Sequence, residues 1–321
     1  MTDGAAKALW ITEKGKATIR DGSISDDPDL LTVKTLYSGI SRGTERLVFR
    51  GQVPEAEFDT MRAPFQEGSF AFPIKYGYSA VGSVQDGDRA GETVFALFPH
   101  QTPFAVPSHL AIPVPAAVPP QRAVLAANME TALNVVWDVG VSPGDRVVVI
   151  GAGVVGALAG YLCGQIPGTE VCLVDIDPDK SVLASALKCA FATPEAAPKA
   201  ADVVIHGSAT SEGLATAIAV AGLEATIAEA SWYGTQQTTV PLGAAFHRKR
   251  LKIISSQVGR IPARKVPRWT FRRRLEKALE LLADPALDSL ISGETAFDAL
   301  PTEYERILSD PKTLCHRIKY P

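Results

Sequence analysis

The 321-residue sequence predicts an α/β protein of two domains, a β-rich and turn-rich region followed by a doubly wound parallel sheet. Three observations lead there. The length and a 46% share of hydrophobic residues suffice for two packed cores, because one core stops growing at roughly 250–300 residues. Near Pro119 the texture changes, from short segments broken by Gly, Pro, Asp and Ser to strand and helix patterns that alternate. Within the second region a Gly-rich turn joins a continuous apolar strand to an apolar helix.

Taken in chain order, residues 31–36, 79–84 and 93–97 read as strands of the first region. Residues 122–139 carry apolar side chains at helical spacing. Residues 146–150 and 171–174 are apolar strand runs, each followed by a helix, at 154–163 and 178–187. Further strands are expected at 203–206, 225–230 and 251–255, with a helix at 211–220. Unbroken apolar strands between helices imply a parallel sheet covered on both faces. After Gly259 comes a basic helix at 269–282 and a tail containing Pro301 and Pro311. The domain division expected from this pattern is 1–121, 122–259 and 260–321, with a Pro/Ala-rich loop at 194–199 and no internal repeat.

Composition narrows the function classes. Thirty-five acids against 32 Lys and Arg give a formal charge of -3, with no block of five like charges, which argues against nucleic acid or a membrane surface as partner. The basic run from Arg268 to Arg274, interleaved with Trp269 and Phe271, is read as a solvated face or an interdomain contact. Residues 1–19, with Asp3, Lys7 and Glu13, lack the unbroken apolar run of a secretory signal, and no segment has the roughly 18–20 apolar residues of a membrane span. A soluble, cytoplasmic protein is expected. Cys163, Cys172, Cys189 and Cys315 form no CxxC pair, and buried, reduced thiols are expected.

The strongest local signal is Gly151-Ala152-Gly153-Val154-Val155-Gly156. Gly151 permits a tight turn, Gly153 lets backbone approach a pyrophosphate, and Gly156 lets helix and strand pack closely, while the amides opening the helix at Val154 and Val155 face the phosphates. About twenty residues further on, the second strand ends at Asp175, whose carboxylate can accept both hydroxyls of an adenosine ribose and would repel a 2′-phosphate. NAD is therefore expected rather than NADP. An ordinary strand-to-helix turn, with Asp175 as a helix cap, is the competing reading. Asp177 is expected to cap the following helix.

At this point the sequence resembles the medium-chain dehydrogenase/reductase superfamily, which includes zinc alcohol dehydrogenases and quinone oxidoreductases. The resemblance rests on Ser38-Gly39-Ile40-Ser41-Arg42-Gly43-Thr44-Glu45, on Gly77-Tyr78-Ser79-Ala80-Val81-Gly82, on Gly87-Asp88-Arg89 followed by Val94, on Pro143-Gly144-Asp145-Arg146-Val147, and on Lys252-Ile253-Ile254-Ser255-Ser256. It implies a GroES-like catalytic domain interrupted by a Rossmann domain, with the C-terminal tail returning to the first, and a homodimer through the Rossmann edge strand. The departures are informative. Where zinc members of the superfamily carry Cys, His and an acid, this chain has Ser41 or Arg42, Tyr78 and Ser79, and the further ligand position falls around Asn128 and Met129. The four-Cys lobe between about Asp88 and Pro115 is missing. No zinc is expected, since almost every position offers a poor donor. The remaining metal candidates are Glu45, His100 and His109, of which His109 is read as structural.

Without a metal, the developing oxyanion of a carbonyl needs a hydrogen-bond donor in a dry pocket. The resemblance places Thr44 at the hydroxyl proton relay and Tyr78 where a metal-binding His would stand. His100 is read either as bordering the cleft with proton exchange to solvent or as a loop His with no role, and Glu45 as orienting a neighbour, pairing with Arg42 or lying in an ordinary solvated loop pair. Arg42 is a candidate for the pyrophosphate and Ser256 for the nicotinamide end, while Trp232 or Tyr233 packs near nicotinamide or, equally, in a core. The expected function is an NAD-dependent, zinc-free oxidoreductase acting on a small alcohol/carbonyl pair, in a branch similar to the bacteriochlorophyllide hydroxyethyl dehydrogenases. The alternatives are a quinone or enone reductase, usually NADPH-linked, and a dinucleotide-binding protein that has lost its chemistry.

Overall fold

A computed structural model describes residues 5–321, and the four residues before Ala5, including Asp3 of the N-terminal reading, lie outside the described residues. The chain divides into two compact units, Met1–Ala127 with Leu275–Pro321, and Asn128–Arg274.

The second unit is built on six parallel strands in the order Ala190–Ala192, Glu170–Val174, Arg146–Ile150, Ala201–His206, Ala221–Glu229, Lys252–Ser255. Chain order reverses between Arg146–Ile150 and Ala201–His206, which creates the switch point where such sheets bind ligands. Because successive side chains alternate faces, Val148 and Ile150 pack with Leu214, Ala217 and Ile218 of the helix Ser211–Val220. On the opposite face Val149 and Leu173 meet the helix Val154–Gly164 at Gly160, where a Cβ would lie 2.5 Å from Leu173 Cδ2. Burying each such aliphatic side chain contributes about 1.5–3 kcal/mol, so continuous apolar runs specify these strands.

Two sheets form the first unit. One opens with the hairpin Ala5–Glu13 and Lys16–Ser23, whose two-residue turn sets Gly15 at φ +78°, and continues through Ile74–Lys75 to Glu67–Gly68, with Gln101–Thr102 also on Ala5–Glu13. The other runs Ile112–Pro113, Thr93–Ala96, Ala80–Val84, Leu30–Ser41, Cys315–Lys319, Ile291–Ala296, with Phe104–Pro107 also on Leu30–Ser41. The C-terminal strand thus pairs antiparallel with Leu30–Ser41 in the middle of the sheet. The helix Leu300–Ser309 presents Leu300, Tyr304, Ile307 and Leu308 to the interior, an i, i+4, i+7, i+8 stripe.

Some elements depart from the sequence expectation. The helix expected over 122–139 is two, Pro120–Ala123 and Ala126–Val139, and the one over 269–282 is Phe271–Glu280 followed by a 3-10 turn, Leu281–Ala283. The helices Arg42–Phe49 and Leu300–Ser309 stand where no helix was expected. The solvated reading of the basic run fails at Arg274, which is 2% exposed and donates to Glu130 Oε1 at 3.0 Å, Asn134 Oδ1 at 2.5 Å and the Val258 carbonyl at 2.6 Å. Desolvation of this pair pushes the Glu130 carboxyl up, against the pull of Arg274. Arg273 covers the Trp269 ring at 4.1 Å. All four cysteines are free and buried. No helix among the described residues is long and apolar enough to cross a membrane.

Candidate active site

In the second unit the strand Arg146–Ile150 runs straight into the glycine turn. Gly151 has φ +98°, a conformation that costs a side-chain-bearing residue dearly, and a Cβ there would lie 2.8 Å from the Ser208 amide nitrogen. Its own N–H donates to the Val174 carbonyl at 2.8 Å. Gly153 is the N-cap of the helix, no side chain caps it, and a Cβ would meet nothing within 4 Å. The amides that open the helix at Val154 and Val155 thus begin beside free space at the positive end of the helix dipole, which suits phosphate. Gly156 serves the packing, since a Cβ would fall 2.1 Å from the Gly151 carbonyl oxygen.

Asp175 follows the strand Glu170–Val174 and is half-buried. Its Oδ2 accepts the Ala152 N–H at 2.7 Å and its Oδ1 the Asp177 N–H at 3.0 Å. A carboxylate offers about four lone-pair directions, so acceptor capacity remains for two ribose hydroxyls. Asp177 is engaged differently, taking the Asp179 N–H at 3.0 Å in the turn that precedes the helix Lys180–Ala186. A nicotinamide dinucleotide fits these residues: an open cradle at Gly153, a bare helix start and a carboxylate one strand away.

Sequence reasoning missed a relay at the same sheet edge. His206 Nδ1 lies 2.6 Å from Glu229 Oε2 and His206 Nε2 lies 2.7 Å from Ser208 Oγ. Glu229 also accepts the Ser231 N–H at 2.9 Å and the Tyr233 hydroxyl at 3.0 Å. Burial opposes ionisation of Glu229, but the bonds from His206 and Ser231 outweigh it and hold the carboxyl below its ordinary value. Tyr233 is pushed up by burial and by Glu229, so this hydroxyl stays protonated. The available signal was a His ending an apolar strand, followed by Gly207-Ser208.

The first unit contains a buried polar cluster. Glu45, in the first turn of the helix Arg42–Phe49, is wholly buried; its Oε1 accepts the Ser41 N–H at 2.8 Å and its Oε2 faces His100 Nε2 at 3.0 Å and the Tyr304 hydroxyl at 2.7 Å. His100 Nδ1 meets Ser38 Oγ at 2.7 Å, and Ser38 Oγ meets the Tyr320 hydroxyl at 3.0 Å. With a neutral imidazole the bonds run one way: Tyr320 donates to Ser38, Ser38 to His100, and His100 to Glu45. His100 has no direct access to solvent, so a proton reaching it passes through Ser38 or Glu45. Tyr78 lies within hydrogen-bond reach of Ser41 and Thr44 and keeps partial exposure, as does Thr44. Burial and the charge of Glu45 push the Tyr78 hydroxyl up to about 12.

The structure thus brings four sequence candidates together, Thr44 with Tyr78 and Glu45 with His100. Others stand apart. Arg42 opens the helix Arg42–Phe49, and His109 sits exposed on the 3-10 turn Ser108–Leu110, away from the Glu45–His100 pair it would have to join in a metal site. Asn128 and Met129 are buried in the helix Ala126–Val139. Ser79 spends its hydroxyl on the Val124 carbonyl at 2.5 Å. Ser256 donates to Asp138 Oδ2 at 2.6 Å. Both ring nitrogens of His100 have hydrogen-bond partners, and among the described residues no group of three His, Cys, Asp or Glu side chains that could hold a metal ion is found.

No protein-family model and no curated protein matches the chain. Solved structures match it over nearly its whole length. L-idonate 5-dehydrogenase from Escherichia coli K-12 superposes with a TM-score of 0.78 at 15% identity, covering 98% of both chains. A protein described as a zinc-binding dehydrogenase from Sinorhizobium meliloti 1021, bound to NADP, gives 0.77 at 18% identity over 98% of this chain and 99% of its own. A short chain alcohol dehydrogenase from Escherichia coli CFT073, complexed with NADH, gives 0.74 at 17% over 98% and 99%. The chain therefore has the fold of the zinc-type medium-chain dehydrogenases, a GroES-like unit together with a Rossmann unit.

Proposed function

We propose that the protein is an NAD-dependent oxidoreductase that interconverts a small alcohol and its carbonyl compound without catalytic zinc. The observation that carries the reading is the glycine cradle at Gly151, Gly153 and Gly156 with Asp175 beside it. Solved structures of the same fold hold NADP and NADH, which supports a nicotinamide cofactor. Val154 and Val155 offer the first helical amides to the pyrophosphate, Asp175 takes the ribose hydroxyls and disfavours a 2′-phosphate, and Ser256 is the candidate for the nicotinamide end. Nicotinamide, when bound, supplies or accepts a hydride at its C4.

The residues of the first unit then handle the proton. Tyr78, protonated up to about pH 12, donates a hydrogen bond to the carbonyl oxygen at neutral pH. An alkoxide is a stronger base than even this phenolate, so the proton moves from Tyr78 to the product oxygen as the hydride arrives. Thr44 and Ser41 adjoin the phenol oxygen and stabilise the transient phenolate. Glu45 and His100 are positioning residues, since Glu45 ties the helix start at Ser41 to His100 and Tyr304.

NADH and NADPH titrations followed by protein-to-cofactor fluorescence transfer, with turnover assays on aldehydes, ketones and enones, test the reading. Tighter NADH binding with turnover of aldehydes or ketones is expected. Absence of binding at millimolar NADH overturns it, and binding without any turnover favours a silent dinucleotide-binding protein. Activity that survives dialysis against a zinc chelator is expected, and its loss would restore a metal.

A further inference from the structure

The glycine turn stands where the strand Arg146–Ile150 ends, and a cleft of the same unit stands near where that strand begins. About 460 Å³ in volume, it is lined among others by Trp137 in the last turn of the helix Ala126–Val139, by Gly140 just beyond it, and by Arg264, Lys265 and Arg268. We infer that this cleft binds a small polyvalent phosphate, either free or carried on an organic group. The inference stands whether or not the oxidoreductase reading does, because a strand of five residues puts on the order of 15 Å between its two ends.

Charge carries the argument. Three cations line the cleft and no acid does. None of the three side chains has a hydrogen-bond acceptor or an ion-pair partner among the described residues. Asp138 acts on Arg264 from the neighbouring helix, but its carboxylate is engaged by Ser256 and Asn134 and offsets only one charge. Asp145 accepts the Ser142 N–H at 2.7 Å and lies outside the lining. Even with both acids counted, the balance stays positive. The sequence around the cleft repeats the imbalance: no Asp or Glu lies between Glu229 and Glu276, against eleven Lys and Arg, in a chain whose formal charge is -3. Burial and the two guanidinium charges push the Lys265 ammonium down. An anion between the three turns that repulsion into attraction, and a concave wall of one sign concentrates it there.

Two of the cations are also held in place. The Arg264 guanidinium lies so close to Gly140, which has φ +71°, that a Cβ there would be 2.6 Å from Nη1. The Lys265 ammonium lies over the Trp137 ring, 5.0 Å from its centroid, and Trp137 packs on Trp269 at 4.6 Å. Trp137 is 8% exposed, so recognition falls to the cations and not to a ring face. Two planar guanidinium forks and an ammonium suit the several oxygens of a phosphate chain better than the two of a lone carboxylate.

Inorganic pyrophosphate is the probe, titrated into the full-length protein at low ionic strength by calorimetry and by Trp fluorescence. A Kd below about 1 mM is expected, at least about tenfold tighter than for orthophosphate and weakening as NaCl is added. Methyl diphosphate separates the two sources: an affinity within about tenfold of pyrophosphate marks a phosphate carried on an organic group, and a greater loss marks the free anion. The double variant Arg264→Gln/Arg268→Gln, at two exposed positions, should weaken pyrophosphate at least about tenfold while the thermal midpoint stays that of the parent. Gly156→Ala, which closes the glycine turn, should keep the binding. Three results overturn the inference: no pyrophosphate binding up to about 10 mM; an affinity unaltered by the double variant, which would put the anion on the glycine turn or elsewhere; or single-stranded DNA bound more tightly than pyrophosphate, which would make this surface a track for a polymer.

Discussion

His100 and Glu45 meet at 3.0 Å where solvent reaches neither side chain, although 55 residues separate them in the chain. Truncating Glu45 strands three donors at once: the Ser41 amide, the His100 imidazole and the Tyr304 hydroxyl. Glu45→Ala should therefore cost about 3–5 kcal/mol, measured as a fall in the urea midpoint, and more than Ser38→Ala, which removes one link. A parental midpoint for Glu45→Ala would show that the cluster does not hold the unit together.

Tyr78→Phe removes the proton donor and leaves the ring's packing against Tyr76 intact. We expect kcat to fall about 10²- to 10³-fold with NADH affinity within about twofold of the parent, because the missing bond matters most when charge develops on the substrate oxygen. Thr44→Val should lose less, about tenfold, since Ser41 still adjoins the phenol. Stopped-flow single turnovers separate this from effects on binding, and an unaltered single-turnover rate in Tyr78→Phe would remove Tyr78 from the chemistry.

Asp175→Ala should raise the Kd for NADH about tenfold or more while NADPH is affected far less, so that the preference narrows or reverses. Gly156→Ala tests the turn itself, because its Cβ would sit 2.1 Å from the Gly151 carbonyl. Loss of both cofactors with little change in the first unit's fold is the expected outcome of calorimetry and circular dichroism. Retained NADH binding in Gly156→Ala would mean that the cofactor lies elsewhere.

Alkaline pH should unfold the protein in a predictable window. Burial pushes Tyr78, Cys163 and Cys315 up to about 12 and Cys189 up to about 11, and raises Tyr304 and Tyr320 as well, from ordinary values of 10.0 for Tyr and 9.0 for Cys. Between those limits the unfolded chain has released protons that the folded chain keeps, so the slope of stability against pH is negative. The stabilisation is complete below about pH 9 and drains away as pH climbs toward 12. Urea midpoints across this range, with tyrosinate absorbance and thiol titration, should fall together; tyrosines that ionise near pH 10 in a still-folded protein would contradict the burial.

How much of this was legible depends on how local each feature is. The run at 146–150 is the strand Arg146–Ile150 and the pattern at 211–220 the helix Ser211–Val220, because apolar runs and helical spacing are written within one element. The edge strand Ala190–Ala192 is three residues long and too short to carry a period. Arg42–Phe49, with Gly43 near its start, reads as a loop; what makes it a helix is burial of Leu47, Val48 and Phe49 and the Glu45 bond to Ser41, both tertiary. The same division governs the sites. The glycine turn lies in six consecutive residues, whereas the partners of Glu45 and Ser38 lie up to 282 positions away, and Tyr304 and Tyr320 sat in a tail with no motif to mark them.

The C-terminal strand Cys315–Lys319 lies between Leu30–Ser41 and Ile291–Ala296, so the first unit cannot close its sheet until nearly all of the chain has been made. The residues of the Rossmann unit, by contrast, are contiguous. On the ribosome the later-encoded unit can mature first, while the earlier one waits with Ile40, the strand partner of His316, unpaired on that side. The segment made first is therefore the one that most needs chaperone cover, and truncations near the C-terminus should precipitate rather than fold with reduced activity.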